Sequence, residues 1–210
     1  MIIYRTIKKE EISKCIDLIT DSYNGYSFYE IFVEDKKRRF KFLKEIQKVC
    51  VKTCYKQQTI LVSLKDDKIV SIAILKSPNE PEPTIWNYLC AGGLNVFLAG
   101  GIKNTLGWLK MYNESSAACH SISEDSWYLT SLVVANEFKN QGLGSKMLQD
   151  GVIPYISQHG GGLLTLITNS ESNCNFYKKN GFTEFHNEVL NVNNKKLNNW
   201  GYKINIQANN

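Results

Sequence analysis

Two glycines, Gly142 and Gly144, lie between the most β-like run of the chain and a helical stretch that opens at Ser145. Glycine accepts left-handed backbone angles and, having no Cβ atom, lets a ligand approach the main chain. The first turn of a helix adds free N–H groups and the positive end of the helix dipole. An anion site is therefore predicted over Lys139, Asn140, Gln141, Gly142, Leu143, Gly144 and Ser145.

Two other phosphate-binding motifs do not fit this loop. A dinucleotide loop needs a third glycine three residues after the second, and Met147 stands at that place. A nucleoside-triphosphate loop needs Gly-Lys-Ser or Gly-Lys-Thr at its end, and no such sequence follows at the required spacing. Taken alone, the loop indicates an anionic ligand without identifying it.

A second motif lies further along the chain, in Asn173–Phe182, which reads Asn-Cys-Asn-Phe-Tyr-Lys-Lys-Asn-Gly-Phe. Together with Leu132-Val133-Val134 before the glycine loop, it resembles the GNAT superfamily of acyl-CoA-dependent acetyltransferases. The family pattern is Arg/Gln-x-x-Gly-x-Gly/Ala after a Leu-x-Val strand, then Asn-x-x-Phe-Tyr-x-x-x-Gly-Phe. Lys139 replaces the usual Arg or Gln. The resemblance covers residues 127–185 well and the flanks by order of elements, and it implies acetyl-CoA as acyl donor.

The resemblance also implies roles for individual residues. The amide of Leu132 would hold the thioester carbonyl, and the main chain of Val133 and Val134 would contact the pantetheine arm. The loop from Lys139 to Ser145 would bind the pyrophosphate, and Asn173 would contact the CoA arm. The side chains of Leu132, Val133 and Val134 are equally expected to be core residues, because the chemistry uses only their backbone.

Candidate proton-transfer groups flank these motifs. Tyr177 is the candidate general acid for the CoA thiolate, since a phenol stays protonated at neutral pH; a simply buried aromatic pair is the alternative. An amine acceptor must lose a proton before attack, and Glu124, Asp125 and Tyr128 lie just before or within the reactive strand. Acidic residues in a loop are also commonly just solvated.

One branch of the family offers a closer comparison. Trp127-Tyr128-Leu129 and a helical insertion after the third strand resemble puromycin-type antibiotic acetyltransferases. That branch usually has His before Trp-Tyr-Leu, where this chain has Ser126. It often has Leu-Glu-Thr on the fifth strand, where this chain has Leu166-Ile167-Thr168. A glutamate that could help deprotonate the substrate is therefore missing.

Three functions remain open at this point. The leading hypothesis is transfer of the acetyl group to a primary amine of a small molecule, by direct attack in a ternary complex. A protein or peptide N-acetyltransferase would need an open acceptor groove, and the apolar, glycine-rich segment Trp86–Tyr112 favours a covered pocket. The third hypothesis is a catalytically silent acyl-CoA-binding or regulatory module.

The hydrophobic pattern supplies the elements that position these residues. Strands are predicted at the alternating or β-rich runs, and helices where apolar residues recur at helical spacing. Strands are predicted over Ile2–Ile7, Thr59–Leu64, Ile69–Leu75, Trp127–Val134, Leu163–Thr168, Phe182–Leu190 and Trp200–Ile206. Helices are predicted over Glu10–Thr20, Phe28–Tyr55, Trp86–Tyr112, Ser145–Ser157 and Asn173–Lys179.

These elements predict one α/β domain over residues 1–210. The resemblance implies that this domain is GNAT-like, with a mixed, mostly antiparallel, twisted sheet of about seven strands flanked by helices. A helical insertion over about residues 86–117 would separate strands 3 and 4, and a polar stretch from Asn113 to Ser126 would lead into the reactive strand. A βαβ crossover would lie at its centre.

The composition limits the class of partner. A net charge of +5 suits an anionic ligand but is far below the dense basic clusters of nucleic-acid-binding proteins. The six cysteines and three histidines are scattered, so no metal site is predicted. The start of the chain does not read as a signal peptide, and no membrane span is expected. A cytoplasmic protein is predicted, and the insertion could support a homodimer.

Overall fold

The computed structural model describes residues 1–81, 83–123 and 125–209. Within them, seven strands form one sheet in the order β1-β2-β3-β4-β5-β7-β6. The strands are β1 (Ile2–Thr6), β2 (Thr59–Lys65), β3 (Lys68–Lys76), β4 (Trp127–Val134), β5 (Gly162–Thr168), β6 (Thr183–Val192) and β7 (Lys195–Ile206). All neighbouring strands are antiparallel except β4 and β5. The predicted α/β fold class with a mostly antiparallel, seven-stranded sheet is confirmed.

Helices cover both faces of the sheet. They are α1 (Ile12–Tyr23), α2 (Ser27–Glu30), α3 (Lys36–Gln57), α4 (Ile85–Cys90), α5 (Gly93–Gly100), α6 (Ile102–Ile122), α7 (Leu143–Lys146), α8 (Ile153–Gln158) and α9 (Glu171–Lys179). A π-helical turn, Met147–Val152, joins α7 to α8, so the helical run after the glycine loop is continuous. The α1 and α3 side buries Ile16 and Val51 with Val133, whereas the opposite side buries Met147 and Leu148 with Leu129.

A short turn joins β2 to β3 in the first half of the sheet. β2 and β3 pair up to Lys65 and Lys68, and Asp66 and Asp67 join them with φ of 50° and 58°. Two consecutive residues with positive φ form the turn that matches the twist of a hairpin. β2 and β3 therefore form a hairpin.

The insertion between β3 and β4 consists of α4, α5 and α6. Its breaks fall at two glycine pairs, where Gly92 and Gly101 have φ of 107° and 82°. The predicted helix end at Tyr112 is too early, because α6 continues to Ile122. Ser115 and Ser116 are buried there, and both hydroxyls donate to the carbonyl of Tyr112. Serines that bond back to the preceding turn fit a buried helix face.

A bulge in β4 decides which side chains share a face. Ser131 pairs with Ile74 and Leu129 pairs with Leu75, so Thr130 has no partner on β3. One extra residue reverses the alternation of side chains along a strand. Tyr128 is consequently on the same face as Ser131, whereas Leu129 faces the opposite helices.

None of the helices in the described ranges is long and apolar enough to cross a membrane. Within the same ranges, no group of three or more His, Cys, Asp or Glu side chains could hold a metal ion.

Candidate active site

The central feature is the separation of β4 from β5. Among the described residues, the two strands pair only at Trp127 with Leu164 and at Tyr128 with Thr165. Beyond Tyr128, β4 continues to pair with β3 as far as Val134, but its other edge has no strand partner among the described residues. An unpaired strand edge inside a sheet can accept an extended ligand through main-chain hydrogen bonds.

The glycine loop lies beyond the end of this strand. Asn140 and Gly142 have φ of 63° and 74°, which turns the chain sharply into α7. A Cβ atom at Gly142 would have open space around it, so this position is left clear for a ligand. In the described part of the chain, no atom accepts a hydrogen bond from the backbone N–H groups of Asn140, Gln141, Gly142, Leu143, Gly144 and Ser145. Such a run of free N–H groups at a helix start suits an anion.

The two sequence motifs touch each other at Gly144. A Cβ atom there would come within 3.3 Å of the ring of Phe176 and 3.7 Å of Val134. Gly144 is therefore needed for α9 to pack against the start of α7, and not only for access to the main chain. The contact connects the loop, the end of β4 and the Asn173–Phe182 motif into one unit.

Tyr177 lies on the face of α9 that is buried in the core. Its side chain is 8% exposed and packs edge-on against Phe182 at 5.5 Å between ring centroids. It also lies 6.0 Å from the ring of Tyr202. Among the described residues, none forms a hydrogen bond with the Tyr177 hydroxyl.

The surroundings of Tyr177 raise the pKa of its hydroxyl. Although its ring belongs to the α9 side, its pKa is raised first by burial and then by Tyr23 and Tyr26, which come from the α1 and α2 side. It also influences the pKa of Tyr128 on that side. Because the pKa is raised, the phenol stays protonated throughout the physiological range. It can donate a proton or hydrogen bond at the point where β4 and β5 part.

A polar cluster lies at the carboxyl end of β5. The Thr168 hydroxyl hydrogen-bonds Tyr26 at 3.3 Å and accepts from Asn173 Nδ2 at 3.1 Å. The N–H of Asn169 donates to the Tyr26 oxygen at 2.9 Å. The predicted CoA contact Asn173 therefore has its amide nitrogen engaged in holding this end of β5.

Tyr128 is 5% exposed and belongs to a group of aromatic side chains on the α1 side. Burial raises its pKa, and Cys119, Tyr23 and Tyr29 raise it further. The imidazole of His120 packs against it with 5.2 Å between ring centroids. A phenol with a raised pKa is a hydrogen-bond donor at neutral pH and a poor base.

The remaining predicted site residues differ in how exposed their side chains are. Leu132 is partly buried against the α9 side, Val133 is buried against the α1 side, and Val134 is partly exposed. Leu143 is buried, whereas Lys139, Asn140 and Gln141 are exposed. Asp125 is exposed, and Glu124 lies outside the described residues.

Several residues at the centre of this region were not predicted. Ser131 shares a hydrogen bond of 2.8 Å with the Tyr23 hydroxyl, directly beside the bulge. Tyr23, Tyr26 and Tyr29 stand at a regular spacing of three in the sequence, which was the available indication. Trp108 and Tyr112 stack beside Tyr29 from the insertion, and only the tertiary structure brings them there.

Part of the chain matches a known protein family. Residues 96–184 match the sequence model of the family described as "Acetyltransferase (GNAT) domain". A search of curated proteins found no match.

Three of the similar solved structures span nearly the full chain. An acetyltransferase from Corynebacterium glutamicum described as histone acetyltransferase HPA2 and related acetyltransferase is 14% identical, with a TM-score of 0.69 and coverage of 100% of this chain and 98% of that one. The polyamine N-acetyltransferase of Drosophila melanogaster is 13% identical, with a TM-score of 0.62 and coverage of 98% and 100%. The ribosomal-protein-S18-alanine N-acetyltransferase of Escherichia coli is 11% identical, with a TM-score of 0.57 and coverage of 100% and 97%. Residues 96–184, less than half of the chain, therefore match a GNAT acetyltransferase domain, and the chain shares the fold of these solved acetyltransferases.

Proposed function

We propose that this enzyme transfers the acetyl group of acetyl-CoA to a primary amine of a small molecule, by direct attack in a ternary complex. The single observation that carries the small-molecule acceptor is the position of the insertion. Trp108 of α6 stacks on Tyr29 and Tyr112 of α6 stacks on Trp108, so the insertion packs against the aromatic side chains of the α1 side. A peptide substrate would need this region open along its length.

The donor would be held mainly by backbone groups. The free N–H groups from Asn140 to Ser145 suit the pyrophosphate, with Lys139 exposed beside them. The open edge of β4 suits the amide groups of the pantetheine arm, which would pair with Val133 and Val134 as an added strand. In this arrangement the amide of Leu132 donates to the thioester oxygen and stabilises the oxyanion.

The chemistry then needs one bond to form and one to break. The lone pair of the neutral amine attacks the thioester carbonyl carbon, and the tetrahedral intermediate expels the CoA sulfur. Tyr177 is protonated at neutral pH and its hydroxyl has no hydrogen-bond partner among the described residues, so it would donate to the departing thiolate. The proton lost by the attacking nitrogen passes to Glu124, directly or through water. Tyr128, as a neutral phenol, donates a hydrogen bond beside the reacting groups.

Two neighbours support different acceptors. The Drosophila enzyme forms N-acetylagmatine, a small-molecule product, and the Escherichia coli enzyme acts on a ribosomal protein. The packing of the insertion against the α1 side favours the first kind of acceptor for this chain.

The test is release of free thiol from acetyl-CoA in the presence of purified protein and a panel of primary amines. Amine-dependent thiol release, with the acetylated amine identified by mass spectrometry, is the expected result. Acetylation of peptides but of no small amine would overturn the acceptor assignment. Tight CoA binding without turnover across amines and peptides would instead favour a catalytically silent acyl-CoA-binding module.

A further inference from the structure

Helix α4 is apolar, yet none of its six described residues is buried. Ile85 and Trp86 are 80% and 71% exposed, and Tyr88 and Leu89 are exposed as well. These four positions span roughly half of the circumference of an α-helix. A short helix in a folded protein normally depends on burying its apolar side chains against neighbouring elements. Since those of α4 face outward, they indicate a surface that a partner covers.

The exposed apolar surface continues along α5 and α6, which pack against each other and, through α5, against α4. Leu94 and Leu98 are four residues apart on α5, and both are exposed. Ile102, Leu106 and Leu109 recur at helical spacing on α6 and are exposed as well. Residues three or four apart lie on one side of a helix, so each helix carries one outward apolar stripe. We call the exposed apolar side chains of α4, α5 and α6 the apolar face.

The fold does not use the apolar face for its own packing. The opposite sides of α5 and α6 are buried with α3 in one hydrophobic cluster. Single exposed apolar side chains are common on proteins, whereas a patch that extends over three neighbouring helices marks an interaction surface. The apolar face therefore needs an apolar partner.

The insertion that carries this face is positively charged. Between Ile85 and Asn113 the sequence has Lys103 and Lys110 but no aspartate or glutamate. Both lysines are exposed on α6. Lys110 lies 3.7 Å from Glu114 in an exposed pair, which contributes little attraction in water. Among the described residues, no carboxylate forms an ion pair with Lys103.

Helix α3 brings more lysines to the border of the apolar face. Arg38 donates to the carbonyls of Ala99 and Gly100, both at 3.0 Å, which fixes the start of α3 beside the end of α5. Lys36 and Lys37, the first two residues of α3, are exposed there. Within the described ranges, neither lysine forms an ion pair with a carboxylate.

A cavity at the start of α6 extends this basic border to β7. It has a volume of about 290 Å³ and is lined by Lys103 and by Lys195, the first residue of β7. Glu34 is the one carboxylate among the described residues of its lining, and the other polar members are Asn104, Asn193 and Asn194. Two lysines against one carboxylate leave this opening positive. The border of the apolar face is therefore basic on α3, on α6 and at the start of β7.

We infer that the apolar face docks on the surface of an anionic lipid bilayer. Its leucine and isoleucine side chains enter the boundary between headgroups and acyl chains, where tryptophan and tyrosine are also favoured. The lysines at its border contact lipid phosphates. The helices lie along the surface and do not cross it, in agreement with their length and composition.

The charge of the insertion favours a bilayer over a second copy of the chain. In a two-fold dimer the same patch of each chain faces its counterpart, so a positive patch would meet itself. Like charges brought together across an interface are unfavourable. An anionic bilayer supplies both an apolar layer and the opposite charge.

The first test measures flotation of the full chain with lipid vesicles, without acetyl-CoA or an amine. The vesicles are phosphatidylcholine alone or equal parts of phosphatidylcholine and phosphatidylglycerol. The protein is expected to float with the mixed vesicles, and high salt should release most of it because salt screens the lysines. No flotation, or equal flotation with both kinds of vesicle, would overturn the inference. The acetyl transfer proposed above plays no part in this result, so either proposal can fail alone.

The second test uses variants at exposed positions, each with a matched control. Leu98→Ser should lower the vesicle partition coefficient roughly tenfold, because a leucine side chain is lost from the lipid. Val189→Ser is its control, since Val189 is 49% exposed on β6, outside the insertion. Lys103→Gln should lower the partition coefficient roughly fivefold, and Lys179→Gln, at an exposed position of α9, is its control. Equal effects of variant and control would contradict docking through the apolar face.

These four substitutions change exposed side chains, so the Tm of each variant should stay close to that of the parent. Quenching of tryptophan fluorescence by brominated lipid then measures insertion of α4. Trp86→Phe should still bind vesicles but lose most of the quenching, and unchanged quenching would contradict insertion of α4. Sedimentation velocity identifies the other occupant. A dimer that Leu98→Ser dissociates, in a protein that does not bind vesicles, would assign the apolar face to a second copy and overturn the inference.

Discussion

Replacement of Tyr177 by phenylalanine separates chemistry from folding. The hydroxyl has no hydrogen-bond partner among the described residues, while the ring is packed against Phe182 and Tyr202. Tyr177→Phe keeps that packing, so the free energy of unfolding should change by less than about 1 kcal/mol. Loss of a general acid typically costs 10²- to 10⁴-fold in rate. A thiolate is a good leaving group, so we expect about a 10²-fold loss in kcat.

The assay is thiol release at saturating acetyl-CoA and amine, with CoA affinity measured separately by calorimetry. CoA affinity should remain within about twofold, because in the proposed arrangement the glycine loop and β4 hold the donor. Tyr202→Phe is the matched control, since its hydroxyl donates to Glu184 at 3.0 Å. That variant should lose about 1–2 kcal/mol of stability and keep its kcat. A Tyr177→Phe enzyme with kcat within threefold of the parent, as an order-of-magnitude criterion, would refute the role of Tyr177.

Two more predictions concern the loop and the first strand. Gly144→Ala forces the ring of Phe176 to move and should weaken CoA binding measured by calorimetry. Gly142→Ala has space for its methyl group and adds only backbone strain of about 1–2 kcal/mol. Equal CoA affinities of the two variants would contradict this. Arg5 donates to both carboxylate oxygens of Glu11 at 2.8 and 2.7 Å and lowers the pKa of Glu11 to about 2. That stabilisation is present above the ordinary value of 4.5 and is lost as the pH falls through about 2. Glu11→Gln should therefore lower the free energy of unfolding by about 1–2 kcal/mol at neutral pH, measured by denaturant titration. An equally large difference between variant and parent at about pH 2, the pKa of Glu11 in the folded protein, would disprove it.

Local sequence patterns predicted the elements better than their contacts. The strand Trp127–Val134 has the predicted limits, because its β-branched and aromatic residues specify extended structure directly. Helix α6 runs to Ile122, beyond the predicted end, because buried serines were mistaken for a polar loop. The bulge at Thr130 had no sequence indication, since it depends on how β3 aligns with β4.

The two halves of the site differ in the same way. The glycines and the Asn-x-x-Phe-Tyr motif predict the half that would bind the acetyl-CoA donor, because short segments of sequence determine the local backbone conformation. The meeting of Gly144 with Phe176 is tertiary and was not predicted. The ring contacts on the α1 side combine Tyr23 and Tyr29 with Trp108 from α6, so no local pattern could reveal them.

The two-residue junction between β4 and β5 has a consequence for cooperativity. The sheet consists of a four-stranded and a three-stranded half, joined through strand pairing only at Trp127 with Leu164 and Tyr128 with Thr165. Slow amide hydrogen exchange should therefore divide the sheet into two units with different opening free energies. A ligand that bridges the halves would couple them by mass action, so the donor would act as a missing strand of the folded protein as well as a substrate.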